Sequence, residues 1–487
     1  MSILTIHNGQ KKLYWEYLPP KPLSEVLETA GFPVHQPCGG RGICEKCAAK
    51  ISGAVSRTTV TEATLDLRLI CQTTLLGDAT VILPERADMT QIQTDSSGSV
   101  SVGRAMVGAV GAAVDIGTTT IALKRYDLVT GNLLGQSAME NPQVTVAADV
   151  IGRIDVAMKG NLRKMQSQVR DALAFLLEKA GGSADVMVVT GNTTMLYLLE
   201  GKDPSSLSSA PFEADCLFDY STTILDTKTY LPPCIDAFVG ADISCAVLSS
   251  GMCKDRVSLL CDIGTNGEVA LWKDGFLYVT STAAGPAFEG AGVSCGCGSI
   301  PGAIDKVWIE RGKLRIHTIR EQPPIGICGS GIVDTVAKLL ETEGLDETGV
   351  LEEEAGELAP GLFLTQKDIR MVQLAKAAIS AGIRTLLTET NTDFSQIETC
   401  YLAGGFGSHL NIENAVAVGL IPQELKTKVN VVGNAALAGA SQLLLDAEKI
   451  NILRHILSTV KSLNLSGNSV FAANYVEQML FTQTSHP

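Results

Sequence analysis

One supersecondary unit occurs twice in this chain, and that repeat constrains the fold more than any other feature. Residues 112–138 read AAVDIGTTTIALKRYDLVTGNLLGQSA, and residues 259–284 read LLCDIGTNGEVALWKDGFLYVTSTAA. Each copy opens on an apolar run that ends in Asp-Ile-Gly-Thr. Each crosses a small polar turn into an Ile/Val-Ala-Leu run. Each turns again, at Thr130-Gly131-Asn132 or Lys273-Asp274-Gly275. The pattern is strand, turn, strand, turn, strand. A duplicated unit of this kind predicts two similar subdomains facing each other, with their matching turns meeting across a cleft. Helical spacing fills the stretches between. Met165, Val169, Ala172, Leu173 and Leu176 fall on one face, and Gly181-Gly182 ends that helix. A second helix starts at Thr365 with Asp368 as its capping box, followed by Ile369, Val372, Ile379, Ile383 and Leu386. Alternating strands and helices imply an α/β region.

The two turns carry chemistry suited to phosphate. In Asp115-Ile116-Gly117-Thr118-Thr119 and Asp262-Ile263-Gly264-Thr265-Asn266 the glycine lets the backbone approach an oxygen. Amide N–H groups and Thr hydroxyls donate. An aspartate on each side can hold hydrated Mg²⁺, which prefers carboxylate, water and substrate phosphate together. One such turn could be an ordinary hairpin; two in matching strand contexts point to a phosphorylated ligand. A third element, IETCYLAGGFG (397–407), runs an apolar strand into Gly404-Gly405-Phe406-Gly407, leaving no side chain in the way of a base or ribose. Asp242, in FVGADISCAVLSSG, opens a helix. Read by itself, it caps that helix. The turns in Val188–Thr194 and Gly326–Asp334 either line the cleft or simply start helices.

In this order, two D-x-G-T turns and then a Gly-rich turn, the chain resembles the actin-like ATPase superfamily, which includes acetate and sugar kinases, heat-shock chaperones and actin. The resemblance implies a duplicated α/β, ribonuclease H-like ATPase domain over residues 109–487, built of two similar subdomains. It implies ATP with Mg²⁺, held by Asp115, Gly117, Thr118, Thr119, Asp262, Gly264, Thr265, Asn266, Gly404, Gly405 and Gly407. Asp242 and Asp262 are then the catalytic acids.

The N-terminal region reads differently. Residues 1–85 form a small β-rich unit, with LTIHN and KLYWEYL as a strand pair, a short helix over Pro22–Ala30, and strands at Ala48–Val55 and Ala79–Leu83. Within it lies QPCGGRGICEKC: Cys38, Cys44 and Cys47 form a tight trio, and Cys71 follows in RLICQT. A trio plus one distant thiolate suits a [2Fe–2S] cluster. Gly39, Gly40 and Gly42 let the backbone wrap close, so that amides point at sulfur. A structural zinc site would more usually show two separated cysteine pairs. The Gly-rich loop and Arg68-Leu69-Ile70-Cys71-Gln72 resemble plant-type or adrenodoxin-type ferredoxins, although the first gap is one residue longer than in the plant type. That resemblance implies an α+β, β-grasp fold and one-electron transfer. Cys295-Gly296-Cys297 lacks a second pair and, with Cys328, reads as small buried packing. Residues 86–108 carry Ser, Gly, Thr and Asp without apolar periodicity. They read as a flexible linker, reaching about 25 Å if it behaves as a coil.

Composition removes other classes. The formal net charge is −14, which argues against a nucleic-acid partner, since phosphate backbones need a basic surface. With 45% apolar and 18% charged residues the chain has ample material for a core. No run approaches a membrane span of about 18 apolar residues, so no membrane association is expected. The first residues show no basic stretch followed by an apolar one. Thirteen cysteines without a secretory leader suit a reducing compartment, so a cytoplasmic location is the expectation.

A ferredoxin-like unit followed by an actin-like ATPase resembles the reductive activators of corrinoid-dependent methyltransferases. The likeness extends through NPQVTVAADVIGRI (141–154), STAAGPAFEGA (281–291) and LAGGFGSHLNIENAVAVGLIP (402–422). It implies ATP-dependent reduction of a corrinoid protein from Co(II) to Co(I), with electrons from a donor such as a ferredoxin or flavodoxin. The energetics agree. Plant-type centres lie near about −400 mV and Co(I) is harder still to make. An uphill step of about 100 mV costs about 2.3 kcal/mol per electron. Nucleotide-driven closure can offset such a cost by favouring one corrinoid state. The rivals are a small-molecule kinase with an accessory ferredoxin domain, and a ferredoxin-type electron carrier whose large domain only senses ATP. An activator of radical dehydratases would carry a [4Fe–4S] cluster between subunits, which this cysteine pattern does not match.

Overall fold

The computed structural model describes residues 1–9, 11–32, 34, 42, 47–59, 62, 67–83, 103–352, 356–405 and 409–481. Cys38, Cys44, Gly407 and most of the 86–108 linker lie outside them. Packing groups the chain into two compact units: Met1–Asp88 with Pro142–Asn161, and Met89–Asn141 with Leu162–Pro487. This division assigns residues 142–161 differently from the sequence reading. The segment is bounded by Pro142 and by a break at Lys159 and Gly160, where Gly160 has φ +91°.

In the first unit, strands Ser2–Asn8 and Lys11–Tyr17 pair antiparallel, Ser2 opposite Tyr17 and Asn8 opposite Lys11. Strand Thr74–Leu83 runs parallel to the first of these and antiparallel to Ala48–Val55. Arg68–Leu69 pairs at the far edge of the resulting mixed sheet. Leu4 and Ile6, two residues apart, point to one face. They meet Leu23, Val26 and Leu27 of the helix Leu23–Thr29, together with Leu69, Ile70, Leu75 and Val81, in one core. The register shifts between Gly53 and Val55. Gly53 has φ +111°, and a Cβ there would lie 2.5 Å from the Asp78 carbonyl, so this bulge admits only glycine.

The second unit holds two six-stranded sheets of matching design. In the first, Leu133–Glu140, Thr120–Asp127 and Val110–Ile116 form an antiparallel meander, and Val186–Gly191 then joins parallel to Val110–Ile116. In the second, Phe276–Thr282, Gly267–Lys273 and Val257–Ile263 form the meander, and Thr399–Ala403 joins parallel to Val257–Ile263. Each sheet adds one more parallel strand, Thr227–Leu231 or Val429–Gly433. Both repeats therefore fold as the same three-stranded meander, and both Asp-Ile-Gly-Thr turns leave the same end of the same strand. The strands beside each meander are buried along nearly their whole length, which is why they read as continuous apolar runs.

Two helices lie between the sheets. Ala241–Ser250 gives Cys245 to the core of the first sheet and Ile243, Ala246 and Val247 to that of the second. Ala435–Leu445 follows the last parallel strand of the second sheet, yet packs Leu437, Ala440 and Leu443 against the first. The helices cross where Gly439 meets Cys245; a Cβ on Gly439 would fall 2.1 Å from the Cys245 carbonyl. At its far end the second helix is bonded to the chain that enters the unit. Gly103 and Met106 amides donate to the Leu445 and Leu444 carbonyls, and the Ala447 amide to Arg104. Among the described residues no helix is long and apolar enough to cross a membrane.

Candidate functional site

Asparagines at strand ends shape the first Asp-Ile-Gly-Thr turn. The Gly117 amide donates to the Thr120 carbonyl at 2.9 Å and closes the turn. Asn141 donates Nδ2 to the Gly117 carbonyl at 2.8 Å. Asn192 follows strand Val186–Gly191 and caps the helix Thr193–Glu200, with Oδ1 accepting from the Met195 amide at 2.9 Å. Its Nδ2 donates to the Thr118 hydroxyl at 3.1 Å. Asn434 follows strand Val429–Gly433 and caps its own helix in the same way. It donates Nδ2 to Asp115 Oδ2 at 2.9 Å. Two strand-Gly-Asn-helix junctions, one from each sheet, thus serve the same turn.

The second turn is closed by the Gly264 amide donating to the Asn266 carbonyl at 3.0 Å. Beside it, Gly404 has φ +97°; a Cβ there would lie 2.7 Å from the Ile263 carbonyl and 2.8 Å from Asp262 Oδ1. The Gly404 amide donates to the Gly433 carbonyl. The ends of three neighbouring strands therefore converge on Asp262, and Gly405 has open space where a side chain would stand. Asp242 lies in the first turn of helix Ala241–Ser250, whose N-cap is Gly240. It is thus not the cap; its Oδ1 accepts from the Ile243 amide at 2.8 Å.

Burial raises all four acids of this cleft, and the Asp242 charge adds to the rise at the other three. Burial, opposed by the Asn434 bond and helped by the Asp242 charge, lifts Asp115 to about 7. Burial lifts Asp242 to about 6. Burial and then the charges of Asp242, Asp115 and Glu289 lift Asp262 to about 8. Glu268, on the strand after the second turn, is pushed well up by burial and by Asp242 and Asp262. Asp115, Asp242 and Asp262 all keep part of their surface open to solvent. Like charges held this close favour protonation unless a cation joins them. Among the described residues no three acids, cysteines or histidines form a ready-made metal cage. The arrangement fits a hydrated cation brought in with a phosphate rather than a pre-built site.

Glu289 was not read from the sequence. It ends the short turn Pro286–Glu289. Its Oε2 accepts from the Thr119 hydroxyl at 2.5 Å and from the Thr265 hydroxyl at 2.6 Å. One carboxylate oxygen thereby links the two repeated turns across the cleft.

Of the four cysteines, Cys47 is buried and Cys71 half-buried. A hydrogen bond from Cys47 is the main cause that brings the Cys71 thiol down to about 6, against burial, with help from Gln72 and the Gly42 amide. Gln72 Nε2 stands 3.7 Å from Cys71 Sγ. Gly42 has φ +73°, and a Cβ there would press on the Gln72 side chain at 3.0 Å. Two facing thiols with amides aimed at sulfur are a donor set that fits an iron–sulfur cluster. Cys328 is buried with Ile300 and Ala303 and Cys297 packs against these apolar side chains, but Cys295 and Cys297 are only half-buried, so the expected buried packing holds for Cys328 alone.

Matching three-stranded meanders, two facing Asp-Ile-Gly-Thr turns and a Gly-rich third strand end define the class of actin-like ATPases. Comparison with known proteins narrows it. Residues 256–487 match the family model described as the C-terminal domain of RACo, the ASKHA domain, and residues 110–255 match the RACo middle region. The chain is 35% identical over 419 residues to the corrinoid activation enzyme RamQ of Eubacterium limosum, covering 76% of this chain and 70% of that one. It is 30% identical over 244 residues to the [Co(II) methylated amine-specific corrinoid protein] reductase of Methanosarcina barkeri, 45% of each chain. The solved structure of a reductive activator for corrinoid, iron-sulfur protein aligns with a TM-score of 0.71 at 25% identity, covering 99% of this chain and 98% of the other. This chain belongs to the RACo family.

Proposed function

We propose that the protein is an ATP-dependent reductive activator of a corrinoid protein, an iron–sulfur reductase that returns inactive Co(II) to Co(I) in a methyltransferase system. In this reading residues 1–85 are a β-grasp, ferredoxin-like domain, 86–108 a linker and 109–487 the ATPase. Cys38, Cys44, Cys47 and Cys71 hold a [2Fe–2S] cluster, which when bound supplies one-electron transfer. The corrinoid belongs to the partner protein.

The observation that carries the reading is the pairing, in one chain, of the Cys47–Cys71 thiol centre with a cleft whose two repeated turns meet at one carboxylate. In that cleft Thr118, Thr119, Thr265, Asn266 and the amides after Gly117 and Gly264 orient the phosphates of ATP. Gly404, Gly405 and Gly407 make room for the nucleoside. Asp115 and Asp262 hold hydrated Mg²⁺, whose charge removes the repulsion that otherwise favours their protonated forms. Asp242, at the start of a helix between the two sheets, orients the attacking water. Closure of the two halves on ATP then changes the affinity for the corrinoid protein, and by linkage the corrinoid protein changes the affinity for ATP by the same factor.

The test is stimulation. A Co(II) corrinoid protein should raise ATP hydrolysis, whereas sugars and small carboxylic acids should not. Phosphorylation of a small hydroxyl or carboxyl compound, with no response to the corrinoid protein, would instead make this a kinase.

A further inference from the structure

We infer that Glu289 is the gate of the cleft, holding the two hydroxyls that the terminal phosphate of ATP takes over. The inference rests on the nucleotide reading of the cleft and names the residue that regulates it.

Thr119 belongs to the first repeated turn and Thr265 to the second. Both donate to Glu289 Oε2, at 2.5 and 2.6 Å. A hydroxyl has one proton to donate. A phosphate oxygen seated between the two turns must therefore displace the carboxylate from both, and two anions cannot share the place. The carboxylate is also built in rather than trailing from a mobile loop. Glu289 is flanked by Gly285 at φ +78° and Gly290 at φ +77°. Ala287 and Phe288, just before it, are buried in the core of the second sheet. A Cβ on Gly290 would lie 2.2 Å from the Cys297 carbonyl, so this bend cannot drift outward. Thr265 stands on the same half of the unit as Glu289, and Thr119 on the other. The bond to Thr119 thus ties the halves together until ATP replaces it.

ADP lacks the phosphate that competes. Glu289 consequently disfavours ATP more than ADP, and it can close again over the turns once the terminal phosphate has left. The two threonine bonds to Glu289 then re-form without waiting for ADP to go.

The experiment measures equilibrium binding of a non-hydrolysable ATP analogue and of ADP, both with Mg²⁺, to the full-length protein and to its Glu289→Gln and Glu289→Ala variants. Removing a charged competitor for two hydrogen bonds should tighten analogue binding about tenfold in Glu289→Ala. ADP binding should change by less than about threefold. Glu289→Gln keeps an acceptor oxygen without the charge and should fall between; being nearly isosteric, it keeps the test open if the alanine variant folds poorly. Weaker analogue binding in either variant, or equal changes for analogue and ADP, would overturn the gate. Absence of any nucleotide binding by the unaltered protein would instead overturn the cleft reading itself, and the gate with it.

Discussion

Asn434 donates its side-chain amide to Asp115 at 2.9 Å, joining residues 319 positions apart. The same side chain caps helix Ala435–Leu445 through the Leu437 amide at 2.7 Å. One residue thereby fixes a cleft acid of the first repeat to the helix that leaves the second sheet. Asn434→Ala removes the cap, worth about 1 kcal/mol, and strips Asp115 of the donor that favours its ionised form. Melting temperature should fall by about 2 °C, and ATP hydrolysis should fall with it. Asn434→Asp keeps a cap but sets a second carboxylate against Asp115. It should melt near the unaltered protein while hydrolysing ATP more slowly. Normal hydrolysis by both variants would show that the bond has no part in the cleft.

The raised acids set a pH dependence. A carboxyl whose pKa lies above its ordinary value keeps its proton in the folded protein where the unfolded chain has already lost it. Asp242, Asp115 and Asp262 stand at about 6, 7 and 8 against an ordinary 3.8. The folded protein therefore binds more protons across that range, and nucleotide-free stability should fall as pH rises from about 4 to about 8. Mg²⁺ with nucleotide needs the ionised acids, so its binding should tighten from pH 6 to pH 8 and release protons as it does. The three share one cleft and titrate as a set. Asp262→Asn should flatten both trends in thermal melts and calorimetry. A melting temperature that climbs over the same window in the unaltered protein would contradict this charge arrangement.

The repeat makes both turns necessary. Asp115→Ala and Asp262→Ala should each slow ATP hydrolysis by about 10²–10³-fold, the range found when a preorganised electrostatic contact is removed from a reacting phosphate or carbonyl. Asp242→Asn should slow hydrolysis while leaving nucleotide affinity within about threefold. All three should keep the visible spectrum of the cluster, because that centre lies in the other unit. Unchanged hydrolysis in both alanine variants would show that this cleft is not where ATP is hydrolysed.

For the thiol centre the expectation is compositional. Two irons and two sulfides per chain should be found, and alanine at Cys38, Cys44, Cys47 or Cys71 should each abolish the cluster. Cys295→Ala should leave iron content as it was. A full cluster in the Cys44 variant would reassign the ligands.

Much of this was legible because it is periodic or repeated. The two meanders follow from a strand-turn-strand pattern written twice, and the capping box at Thr365 and Asp368 is present as expected. What stayed hidden depends on long-range proximity. Asn192 and Asn434 each follow a strand-ending glycine, in VVTGN and NVVGN. Sequence shows the helix cap in such a junction but not that the other amide atom faces the first turn. Glu289 lies in GPAFEGA, where nothing local distinguishes it from a surface acid. Its role appears only once the two turns are brought together. The Asp242 question was open for the same reason, and Gly240 at the cap position settles the helix start. Glu268 is the one acid in the largely apolar run Gly267–Lys273, and the sequence does not show that it is buried beside Asp242 and Asp262.

Whether ATP drives the reduction is decided by one anaerobic measurement. Reduced protein is mixed with a Co(II) corrinoid protein, with and without Mg-ATP, at a donor potential too weak to reduce the partner directly, and the Co(I) absorbance band is followed. Co(I) should appear only with Mg-ATP, not at all with the Asp262→Ala variant, and more slowly when the 86–108 linker is cut by about half. Equal Co(I) yield with and without ATP would contradict ATP-driven reduction, leaving an electron carrier joined to an ATPase that does not act on the electron's path.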